Sequence, residues 1–251
     1  MSRTIVFVNQ KGGVGKTTSA INLGAYLALA GNRVLLIDFD PQANLTSGVG
    51  CKSGSRGAYE VISGQATMKD VIVSTCVAGM DLAPSSIDLS GATVELVNRE
   101  DRNNYLKNAI AEIKAGYDYI LIDCPPSLGI LTLNGLAAAD EVLIPLQCEY
   151  FALEGLSLIL KTIQLVQKSM NPHMRITGIL FTMYDSRTKL AQDVVQQVSS
   201  YFKDRVFATI IPRNVRLSEA PSHGQPICLY DPTCIGAKSY ERLAGEVVTR
   251  G

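Results

Sequence analysis

Apolar positions along this chain alternate between two patterns. Short, nearly continuous apolar runs rich in β-branched residues occur at 4–9, 33–38, 117–123, 141–146, 175–182 and 206–211. Such runs predict strands covered on both faces, as in a parallel sheet. Between them apolar residues recur at helical spacing. After the first run they are Ala20, Leu23, Gly24, Leu27, Ala28 and Ala30, and the pattern returns over about 131–138, 153–166, 190–202 and 236–248. Weaker patterns suggest a short strand near 80–83 and a helix over about 100–115. The Gly/Ser-rich stretch 47–58 reads as a loop, and Pro212 opens an irregular segment. This order predicts an α/β fold: a single doubly wound, mostly parallel sheet with helices on both faces. Neither a linker nor an internal repeat interrupts it, so residues 1–251 are expected to form one domain.

Composition adds mainly exclusions. The 251 residues are 47% hydrophobic and 18% charged, with a formal net charge of zero. Binding to nucleic acid would therefore need a local basic patch. No N-terminal stretch combines positive charge, an apolar core and a cleavage site, and no run reaches the roughly 18 apolar residues of a membrane span. Cysteines stand at 51, 76, 124, 148, 228 and 234, none in a C-x-x-C pair, and His173 and His223 lie far from any metal-ligand spacing. Reduced thiols in a cytoplasmic protein are the expectation.

Candidate chemistry concentrates in Gln10-Lys11-Gly12-Gly13-Val14-Gly15-Lys16-Thr17-Thr18. A glycine-rich turn between a strand and a helix is the setting of a phosphate-binding loop. Glycines let the backbone approach an anion, and the N–H groups of the helix N-terminus point at it. Lys16 would place a charge on terminal phosphates, and the Thr17 hydroxyl would ligate Mg²⁺. The strict pattern G-x-x-x-x-G-K-[ST] fails, because its first glycine is replaced by Gln10 and an additional lysine, Lys11, follows. Three carboxylates close predicted strands: Asp38 and Asp40 after the second, Asp123 after the run 117–123. In open α/β sheets ligands bind beyond those strand ends. Asp123 is the candidate to share the cation with Thr17, directly or through water, and Asp40 the candidate to position or deprotonate an attacking water.

Three motifs together carry a resemblance. Lys11–Thr18, Asp38-Phe39-Asp40-Pro41-Gln42 and Ile122-Asp123-Cys124-Pro125-Pro126-Ser127 resemble the deviant Walker A, A′ and B motifs of the ParA/MinD superfamily. Ile211-Pro212-Arg213-Asn214-Val215-Arg216-Leu217-Ser218-Glu219-Ala220-Pro221-Ser222 and Leu229-Tyr230-Asp231-Pro232 resemble its Soj-type ParA branch. The resemblance implies an ATPase of DNA segregation, using ATP and Mg²⁺. It implies that Lys11 reaches the nucleotide of a second subunit, so that ATP holds a homodimer together. It further implies that Asp40 is needed for hydrolysis, and that Pro212 and Asn214 hold adenine.

Between Arg187 and Arg216 six basic residues face two acids, Asp193 and Asp204, a local excess of +4. Such an excess suits sequence-independent binding to a phosphate backbone. The resemblance places Arg187 and Arg216 among DNA-binding positions, makes the DNA double-stranded and non-specific, and implies nucleoid association of the ATP form and a ParB-type partner. A membrane-cycling MinD-type protein would need a C-terminal amphipathic anchor. Residues 240–251 carry few apolar residues and mixed charge, and are expected to pack on the core instead. A nitrogenase-reductase-like electron carrier would need paired cluster cysteines, and neither Cys124 nor Cys148 has a matching one. A metabolic P-loop ligase would need a substrate-side signature, which is missing.

Overall fold

The computed structural model describes residues 2–250 apart from 53, 55 and 98. Seven strands form one sheet: β1 (Arg3–Phe7), β2 (Val34–Asp38), β3 (Val73–Ser74), β4 (Met80–Ala83), β5 (Tyr119–Asp123), β6 (Glu141–Gln147) and β7 (Arg175–Thr182). Their order is β3-β4-β2-β5-β1-β6-β7, and every pairing is parallel except β3 with β4. Strands β2 and β5 are buried at every position, which is why they read as unbroken apolar runs.

Side chains alternate between two cores, as the strand period requires. Ile5 and Phe7 join Leu36, Leu121 and Leu143 on one face, whereas Val6 and Val8 join Ile37, Ile122 and Ile144 on the other. The first face is covered by α1 (Lys16–Leu29), α2 (Asn44–Gly48) and the C-terminal elements. The second carries α3 (Ala58–Ser63), α4 (Met68–Val71), α5 (Leu89–Glu95), α6 (Tyr105–Ala111), α7 (Ile130–Ala138), α8 (Ala152–Ser169) and α9 (Lys189–Phe202). After β7 the chain adds α10 (Val215–Glu219), α11 (Ile227–Tyr230) and α12 (Ile235–Thr249). The fold is the predicted doubly wound α/β sheet.

Helix α12 buries Tyr240, Leu243, Ala244 and Val247, and the Tyr240 hydroxyl lies 3.1 Å from Ser19 Oγ on α1. The C-terminal helix thus packs on the core, as expected. No helix among the described residues is long and apolar enough to cross a membrane.

Three expectations need correction. Residues 206–211 do not form a strand. Phe207 and Ile211 donate to Ile179 and Phe181 of β7, but between them Ala208 N–H and Thr209 N–H donate to the Glu246 carboxylate at 2.8 and 3.0 Å. A side chain from α12 has taken the ladder's place. The helix expected over about 100–115 shrinks to α6 followed by a 3₁₀ turn, Lys114–Gly116. The loop expected over 47–58 begins inside α2 and ends inside α3, and part of it, 53 and 55, lies outside the described residues.

Candidate functional site

Strand β1 lies between β5 and β6, and the chain builds the sheet outward on both sides of it. The loop after β1 therefore opens at the point where strand order reverses, the usual crevice of such sheets. Asp38 and Asp123 are Cα partners across β2 and β5, and Phe7 pairs with Asp123 across β1 and β5. The three strand ends foreseen from sequence are thus neighbours.

Gly13 and Gly15 adopt φ of 73° and 85°, the left-handed region that a side chain would strain. Gly15 is the N-cap of α1, and neither a capping side chain nor a first-turn acid claims the N–H groups there. Thr182 at the end of β7 donates to Val14 O at 2.8 Å, fixing the loop against the sheet. Lys16 is only 6% exposed, and its Nζ lies 3.4 Å from Lys11 O, so the side chain folds back under the loop. Burial lowers its pKa, against the opposing pull of Asp123 and Asp40.

Thr17 Oγ1 donates to Asp123 Oδ2 at 2.6 Å. The other Asp123 oxygen, Oδ1, is buried without a hydrogen-bond partner in the protein. Burial, reinforced by the charge of Asp38, pushes the Asp123 carboxyl up to about 8. A buried carboxylate oxygen left unpaired, beside a hydroxyl, fits a hard cation with oxygen ligands. Among the described residues no cluster of three or more His, Cys, Asp or Glu could hold a metal by itself. A cation here would rest on Thr17, Asp123 and oxygens brought by the substrate, as Mg²⁺ commonly does.

Asp38 serves differently. It is fully buried and accepts the Thr46 N–H and hydroxyl at 2.8 and 2.7 Å, anchoring α2 under the cleft. Burial raises its pKa to about 6, with the Thr46 hydrogen bonds opposing. Asp40, 7% exposed, accepts the Gln42 N–H at 3.0 Å and lines a cleft of about 540 Å³ with Gly12, Gly13, Lys16 and Thr17. A second cleft of about 310 Å³ adjoins it, sharing Gly15, Thr18, Met183 and Pro221, and is lined by Pro212 and Asn214. The loop, Asp40, Pro212 and Asn214 thus line two adjoining clefts, with Asp38 and Asp123 buried behind them.

Lys11 is the exception. Its ammonium pairs with Glu149 beyond β6, half exposed, and it does not line the cleft that takes Lys16. Sequence reasoning overlooked several participants: Asn44, Ser47, Met183 and Ser222 at the cleft wall, and Glu149. Asn214 has a further task, since its side chain accepts the Arg216 N–H at 2.8 Å and caps α10. An Asn just before a short periodic segment was a readable cap signal.

The two arginines are not free cations. Arg187 is bidentate to Asp185, at 2.9 and 2.7 Å, and Arg216 pairs with Glu219 at 2.9 Å and with Asp231 at 3.4 Å. Those acids lie just outside the window 187–216. Over 185–231 six bases meet five acids. The six cysteines form no disulfide, and Cys124 and Cys148 are buried.

With that geometry in place, the comparisons decide the family. A family model described as AAA domain matches residues 2–176. The chromosome-partitioning ATPase Soj of Treponema pallidum is 65% identical over 250 residues, covering 100% of this chain and 98% of its own. This chain belongs to the Soj/ParA family of partitioning ATPases. The sporulation initiation inhibitor protein Soj of Bacillus subtilis is 53% identical, with 100% of both chains covered. Among solved structures, one from Mycobacterium smegmatis, described as cobyrinic acid a,c-diamide synthase with bound ADP and magnesium, superposes with a TM-score of 0.86. It is 40% identical, covering 98% of this chain and 93% of that one. Several relatives at higher identity, those of Treponema pallidum and Thermus thermophilus among them, carry the partitioning name, so the synthase likeness bears on fold and nucleotide site.

Proposed function

We propose that this chain is an ATP-driven DNA-segregation switch, with residues 1–251 acting as one nucleotide-binding unit. ATP is the substrate, cradled by the backbone of Gly12, Gly13, Val14 and Gly15 and the first turn of α1 at Thr17 and Thr18. Lys16, already desolvated, presents its ammonium to the terminal phosphates. Thr17 and Asp123 hold Mg²⁺, which neutralises phosphate charge when bound. Asp40, at the cleft wall, orients the attacking water and takes up its proton. Pro212 and Asn214 receive the adenine in the adjoining cleft.

The observation that carries the switch is the separate placement of two lysines in one loop. Lys16 turns into its own cleft, whereas Lys11 lies outward beside Glu149. A half-exposed lysine outside its own cleft, held only by an exposed ion pair with Glu149, is available to a second copy's phosphates. ATP would then stabilise a homodimer by its differential affinity for that state. The dimer binds double-stranded DNA without base readout through a surface that includes Arg187 and Arg216, and hydrolysis dissolves it. A ParB-type partner stimulates turnover. The protein is cytoplasmic, and its ATP form associates with the nucleoid.

DNA retardation and liposome sedimentation, run side by side with ATP and with ADP, test this reading. DNA retention with ATP alone and no vesicle binding is the expected result. Vesicle binding without DNA retention would instead favour the membrane-cycling alternative.

A further inference from the structure

Both arginines assigned to DNA are already engaged within the chain. Arg187 is highly exposed, at 84%, yet its Nε and Nη2 donate to Asp185 Oδ1 and Oδ2, the fork-to-fork geometry that a guanidinium also makes with phosphate. The hydrogen bonds from Arg187 hold the Asp185 carboxyl down to about 2. Arg216 Nη1 donates to Glu219 Oε2, which also accepts the Tyr230 hydroxyl at 3.1 Å, and its Nε faces Asp231. The two arms are adjacent: Tyr184 N–H donates to Ile211 O and Arg213 N–H to Tyr184 O, so the segments carrying Arg187 and Arg216 run side by side.

From this geometry we propose that Asp185 and Glu219 are intramolecular competitors of the DNA phosphates, occupying the two arginines and setting how weakly the surface binds nucleic acid. The proposal rests on the DNA-binding reading above. A phosphate that takes Arg187 must displace Asp185, and the carboxylate returns when DNA leaves. Exposed ion pairs are weak and readily exchanged. The acids therefore lower affinity without blocking access, which suits a protein that must let go of DNA.

The alternative role is orientation, in which each acid aims its arginine at DNA. The two roles predict opposite signs. The test is fluorescence anisotropy of the full chain with Mg-ATP on labelled duplexes of two unrelated sequences, comparing wild type, Asp185→Asn and Glu219→Gln. Asn retains the side-chain acceptor for the Arg187 N–H seen in the wild type, and the two variants report independently. Competition predicts that each variant binds both duplexes about two- to five-fold tighter, the range an exposed pair supports. Unchanged or weaker binding by both variants, with wild type binding normally, overturns the inference alone. No binding by wild type with ATP overturns the DNA reading and the inference with it.

Discussion

Lys16 and Lys11 share one loop but differ in surroundings, and the two roles proposed for them rest on that difference. Burial of Lys16 costs its charged form more than the nearby Asp123 and Asp40 return, so an incoming anion adds compensation. Lys16→Ala should weaken ATP binding roughly 100-fold, as expected for a lost charge-assisted contact, measured by calorimetry with Mg-ATP. Retained tight binding would remove Lys16 from the phosphate site. Residue types at motif spacing were readable because phosphate chemistry constrains them locally. Their partners were not. Glu149, Asp185 and Asp231 meet their lysine and arginines through the fold or from just outside the basic stretch, and no periodicity marks them.

Elements were legible where burial made the pattern simple. The central strands are apolar on both faces because helices cover both, and that signal survives without tertiary information. Residues 206–211 are similarly apolar but lose their ladder to Glu246, 38 residues beyond Ala208 in the chain. Short helices such as α3 and α5 carry too few turns to show a period. Packing of α1 onto the sheet depends on Gly24, where an added Cβ would stand 2.7 Å from Leu36 Cδ2 and 3.3 Å from both Leu121 Cδ1 and Met80 Sδ. Gly24→Val should cost about 1–3 kcal/mol by overpacking, read as a lower midpoint in denaturant unfolding. An unchanged midpoint would mean that the α1 interface is looser than its geometry indicates.

At the scale of the whole molecule the two ends of the strands differ: the cleft opens beyond one, and an ion-pair cluster closes the other. At the opposite strand ends Glu141, buried, accepts from Arg3, Arg175 and Thr177. Burial alone would raise its pKa, but those hydrogen bonds outweigh it and bring the group to about 2. A carboxylate depressed on folding contributes stability above its unfolded pKa, near 4.5, and loses it as pH falls toward 2. Glu141→Gln should therefore melt below wild type at pH 7, with the gap closing through that acid range. A gap independent of pH would assign the effect to packing. At the cleft end, Lys11 pairs with Glu149 outside the cleft lining, and Lys11→Ala should bind ATP yet sediment as a monomer. A normal ATP dimer would refute the reach across subunits.

If ATP and its hydrolysis at Asp40 time both assembly and DNA binding, the bound nucleotide alone should set which species is present. Sedimentation velocity of Asp40→Ala with labelled duplex, in Mg-ATP and in Mg-ADP, reads this out. A stable dimer carrying DNA is expected in ATP, and a monomer free of DNA in ADP. The same species in both nucleotides would contradict it.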